Sequence, residues 1–123
     1  MTPTRGTARL PQALDFLEEC AALHATIAAA PAAAWSQPTQ FKGWTFDDVI
    51  GHLLISDHAA LLAAQSREAV QAFFGRIVAA HAAGRSMRDY TRDWLDGCQG
   101  RPLLERWHAG ARELAATYAD FAP

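Results

Sequence analysis

Residues 41–54, Phe41-Lys42-Gly43-Trp44-Thr45-Phe46-Asp47-Asp48-Val49-Ile50-Gly51-His52-Leu53-Leu54, pass from an aromatic turn into the start of a helix. Thr45 followed three residues later by Asp48 has the form of a capping box, with Asp where Glu or Gln is usual. The Thr45 hydroxyl is expected to accept from an early helix N–H, while Asp47 and Asp48 place negative charge at the positive helix end. His52 then sits two turns inside a rigid element, the support a metal ligand needs. By spacing, the nearest carboxylate is Asp48, one turn earlier. That is a weak metal signal, since a catalytic zinc site normally takes three protein ligands and keeps one position open.

The helix opened by Thr45 is expected to run to about residue 65, with Phe46, Val49, Ile50, Leu53, Leu54 and Leu61 apolar. Upstream, Pro11 suits a first helical turn, and Leu14, Leu17, Ala21, His24 and Ile27 recur at three- and four-residue steps before Pro31 stops the pattern. The connection that follows holds Trp35, Phe41 and Trp44, and three aromatics predict that it packs onto the helices. Downstream, Ser66 caps a third helix ending near Gly84, with Val70, Phe73, Phe74, Ile77 and Val78 as its buried face. Ser86 caps a shorter fourth helix holding Met87, Tyr90, Trp94 and Leu95. Pro102 opens the last one, striped by Leu103, Leu104, Trp107, Ala111, Leu114 and Tyr118. Residues 1–10 are expected as a flexible arm and 11–123 as one helical bundle domain.

Composition agrees with an all-α fold. The chain has 123 residues, enough for one core, and its 50% hydrophobic content leans on alanine, the best helix former. No run of alternating β-branched and aromatic residues marks a strand. A net charge of -2 without a basic stripe disfavours nucleic acid as a partner. Cys20 and Cys98 have no CxxC spacing and read as reduced thiols. Asp15, Glu18 and Glu19 fall where a signal peptide would be apolar, and no stretch has the length of a membrane span. The expected address is the cytoplasm.

Five histidines, His24, His52, His58, His81 and His108, form no HxxxH or HExxH pair. Spacing alone is satisfied by His52 flanking the apolar face and bonded to Asp48, by His24 as a partly buried structural residue, by solvated His58 and His81, and by His108 at the bundle edge. Nucleophile elbows, phosphate loops and dinucleotide fingerprints are missing. Cys20 has no local base, and Glu19 beside it disfavours a thiolate.

The pattern Trp35-Ser36-Gln37-Pro38-Thr39, then Phe41-Lys42-Gly43-Trp44-Thr45, then Asp48-Val49-Ile50-Gly51-His52-Leu53 resembles the N-terminal domain of mycothiol-dependent maleylpyruvate isomerase, within the DinB-like set of metal-binding helical bundles. The likeness spans residues 11–123, with its specificity in 35–53. It implies an up-down DinB-like bundle in a bacterial family. It also implies a divalent metal, zinc by preference, that activates a low-molecular-weight thiol such as mycothiol for addition to an electrophilic substrate. One family ligand maps onto His52. Two more, a Glu and a His one turn apart on the last helix, have no counterpart after Leu103, where Glu105 and His108 stand only three apart.

The resemblance therefore leads to an expectation of a bundle incomplete at its C-terminus, a fragment or short form, with His52 as its surviving ligand and weak or no activity. The rival expectation is a non-catalytic interaction module. It would form a homodimer through an uncovered face of Leu103, Leu104, Trp107 and Leu114.

Overall fold

The computed structural model describes residues 11–119, all of whose regular elements are helical. The expected arm at 1–10 and the terminal residues 120–123 lie outside them. In order the elements are α1 (Pro11–Ala28), a short 3-10 turn (Ala32–Ser36), α2 (Phe46–Gln65), α3 (Arg67–Ala82), α4 (Met87–Leu95) and α5 (Gly100–Ala119).

Each internal helix begins on a side-chain cap. The Thr45 hydroxyl accepts from the Asp48 N–H at 3.2 Å, and the Thr45 N–H donates to Asp48 Oδ2 at 3.1 Å, which completes the capping box. Ser66 accepts from Ala69 N–H and Ser86 from Asp89 N–H, both at 3.1 Å. These bonds satisfy amides that no helical carbonyl can reach. The α2–α3 junction needs no loop, because Ser66 ends one helix and caps the next.

α2 is the central element, packing against α5, α3, α4 and the 3-10 turn, and α5 packs in turn against α1. His24 meets Glu105 and the Arg101 guanidinium donates to the Ala28 carbonyl, so α1 and α5 run antiparallel. Asp47 accepts from the Gly100 N–H, and Tyr118 Oη donates to the Ala60 carbonyl, so α2 and α5 run parallel. The excursion through α3 and α4 carries the chain back between them.

The main core joins Cys20, Ile27, Trp35, Ile50, Leu54, Leu95, Leu103, Leu104, Trp107 and Ala111. Each large apolar side chain enclosed here contributes about 1.5–3 kcal/mol relative to exposure. A smaller cluster of Ile55, Ala59 and Phe73 sits between α2, α3 and α4. Gly51 allows α4 to approach: a Cβ there would stand 2.7 Å from Leu95 Cδ1.

Three sequence expectations are corrected. The buried face of α1 is Ala13, Cys20 and Ile27 with Phe16 and Leu23 packed beside them, whereas Leu14 is 48% exposed. Small Ala13 and Cys20 leave room for α5, and the stripe turns by about one residue. On α3 only Phe73 is buried; Phe74 and Val78 are exposed, because α3 touches the bundle along a single edge. The α5 face is not uncovered either: Leu103, Leu104, Trp107 and Leu114 are all buried within the one chain. The dimer expectation loses the surface it was built on.

Candidate functional site

Residues 39–44 close into a tight turn in which the Thr39 N–H donates to the Trp44 carbonyl at 2.7 Å and the Trp44 N–H to the Phe41 carbonyl at 2.9 Å. Lys42 and Gly43 both take positive φ, 53° and 70°, and it is this left-handed pair that reverses the chain. The turn stacks Phe41 edge-on to Trp44 with centroids 5.4 Å apart. Trp44 in turn meets the His52 ring at 5.7 Å and 70°. A cavity of about 280 Å³ results, lined by Phe41, Trp44, Val49, His52 and Leu53.

His52 is partly buried in this pocket, and its Nδ1 is enclosed without a hydrogen-bond partner among the described residues. The spacing had paired it with Asp48, but that carboxylate is taken. Asp48 accepts from Arg92 Nε at 2.8 Å and Nη2 at 2.9 Å, and Arg88 Nε lies 3.8 Å away. Burial alone would raise the Asp48 carboxyl, but the Arg92 bonds and the Thr45 N–H outweigh it and hold it below the usual range. A metal-bound imidazole is commonly oriented by a carboxylate or carbonyl on its other nitrogen. Here the Trp44 edge holds the ring instead.

The other histidines lie apart from this pocket. His24 Nε2 is 2.7 Å from Glu105 Oε1, and its ring stacks on His108 with centroids 4.2 Å apart. Desolvation lowers the His108 pKa, and the His24 and Arg112 charges push the same way against Glu105. His81 is exposed on α3, as expected, with Nδ1 3.2 Å from the Ile77 carbonyl. His58 is partly buried where a solvated ring was expected: it packs between Phe73 and Trp94, each at 5.2 Å. Burial, with the Arg106 and Arg76 charges, lowers its pKa. Cys20 and Cys98 are both free thiols; burial first, then the Asp57 and Glu19 charges, raises Cys20.

Asp57 is the residue that sequence reading missed. It lines cavities on two sides of the α2–α5 contact, and its Oδ2 is enclosed without a partner among the described residues. Burial pushes the carboxyl up to about 6, against a smaller downward pull from the Trp107 indole. The signal was present: Asp57 continues the series Ile50, Leu54, Leu61 at helical steps, a polar residue in an apolar slot.

Among the described residues no three His, Cys, Asp or Glu side chains are grouped so as to hold a metal ion. The unpartnered Nδ1 makes His52 a suitable single donor, but one donor is not a site. No helix among them is long and apolar enough to cross a membrane.

The family described as the mycothiol maleylpyruvate isomerase N-terminal domain matches residues 16–123. Two uncharacterised proteins, from two strains of Mycobacterium tuberculosis, are each 38% identical over 73 residues, which is 59% of this chain and 27% of theirs. The chain thus spans about a quarter of the length of these curated relatives. No solved structure matches it.

Proposed function

Since this chain belongs to the mycothiol maleylpyruvate isomerase N-terminal domain family, we propose that it is the helical framework of a cytoplasmic, thiol-dependent isomerase or S-transferase, with His52 as one ligand of a divalent metal. The observation that carries the proposal is the enclosed, unpartnered Nδ1 of His52 in a pocket walled by Phe41, Trp44, Val49 and Leu53. A buried polar atom without a partner costs about 1–3 kcal/mol, so a ring left in that state is suited to an incoming partner. Imidazole suits zinc among the divalent ions. The partners in this proposal are a low-molecular-weight thiol, mycothiol or a relative, and an electrophilic small molecule.

A single donor does not fix an ion's geometry, and no reaction step follows from it. The chain is accordingly proposed to hold zinc weakly and to turn over little or nothing unaided. The test is a calorimetric zinc titration of the metal-stripped chain beside His52→Ala. One weak site, lost in the variant, is the expected result. Indistinguishable titrations of the two proteins would overturn the proposal.

A further inference from the structure

A cavity of about 300 Å³ opens between α2, α4 and α5 and shares no lining residue with the His52 pocket. Asp57 lines it, with Oδ2 enclosed and unpartnered among the described residues. Trp94 and His58 also line it, their rings 5.2 Å apart, and the Arg106 guanidinium lies 5.3 Å from the Trp94 ring centroid. Glu113 lies two turns further along α5, roughly 10 Å in helical rise, and Gly110 between them puts no side chain in the way.

The cavity is therefore cationic at one end and anionic at the other, with a second carboxyl and an aromatic wall. Its volume is at the lower limit of small-molecule sites. We propose that it binds a short zwitterion of the ω-amino-acid class, with the carboxylate on Arg106, the ammonium on Asp57 and Glu113, and the methylenes against Trp94 and His58. An ammonium supplies the donor that Asp57 Oδ2 lacks. The Arg106 guanidinium, 5.3 Å from the Trp94 ring centroid, is held by a cation–π contact. The upward shift of the Asp57 carboxyl marks a site with no countercharge beside it, and the downward shift of His58 keeps that wall neutral. Nothing here depends on a metal at His52.

The test is an amide-resolved NMR titration of the full chain with β-alanine, γ-aminobutyrate and ε-aminocaproate, with propionate and propylamine as single-charge controls. At least one amino acid should shift the Asp57, Trp94 and Gly110 amides saturably, and bind about tenfold or more tighter than either control. Asp57→Asn, which keeps the shape of the side chain, and Arg106→Gln, at an exposed position, should each weaken that binding by about tenfold. No saturable shift with any of the three would overturn the proposal. So would equal affinity for the controls, unchanged affinity in both folded variants, or shifts confined to the His52 pocket.

Discussion

The Arg92 guanidinium donates two hydrogen bonds to the buried carboxylate of Asp48, at 2.8 Å and 2.9 Å, and so ties α4 to the first turn of α2. Asp48 also completes the Thr45 capping box, so one side chain serves both the helix start and the helix–helix contact. Arg92→Ala should leave that carboxylate enclosed without its main partner and lower stability by about 1–3 kcal/mol, read from urea unfolding. Because the Asp48 pKa is lowered in the fold, its contribution is present above its ordinary value near 3.8 and is lost as pH falls below it. Asp48→Asn should flatten that acid limb.

Phe73 and Phe74 are chain neighbours with opposite fates, 2% and 50% exposed. Phe73→Ala should cost about 3–5 kcal/mol through the cavity it leaves. Phe74→Ser should change stability by no more than about 0.5 kcal/mol. Thermal or denaturant unfolding of the pair would show the asymmetry directly.

Asp57 gives the fold a pH dependence of opposite sign to Asp48. Its carboxyl is raised from 3.8 to about 6, so the stabilisation from its proton is complete below 3.8 and is lost as pH rises through 6. The facing groups are Glu19 and Cys20 on α1, His58 on its own helix, and Arg106, Trp107 and Glu113 on α5. Asp57→Asn should remove this dependence and stabilise the chain at neutral pH by about 1–2 kcal/mol, allowing for screening at a half-buried site. Urea midpoints at a series of pH values would read it.

His24 stacks on His108 and contributes to its lowered pKa. Replacing His24 by Ala should move the His108 titration upward, as followed by the imidazole proton resonances. A downward or absent shift would count against the stacked pair.

The helices and their caps were legible in the sequence because each cap is a local event: Thr45, Ser66 and Ser86 all cap as their spacing predicts. The faces were harder. Leu14 and Phe74 are large and apolar, yet burial on α1 and α3 is decided by how closely a partner helix approaches, and small Ala13 and Cys20 fit α5 better than Leu14. The His52 pocket was half legible. Its turn and its imidazole stand in one stretch, but the partner of Asp48 lies 44 residues away, where no local spacing reveals it. Asp57 was hidden for a related reason: a carboxyl in an apolar series looks like an exception until its neighbours from α1 and α5 are known.

Imidazole nitrogen NMR of the metal-stripped chain during zinc addition tests most directly whether His52 is a ligand. The His52 ring nitrogens should shift on zinc addition, while those of His24 and His108 hold their positions. A still His52 ring, with the response confined to the stacked His24 and His108, would contradict ligation by His52.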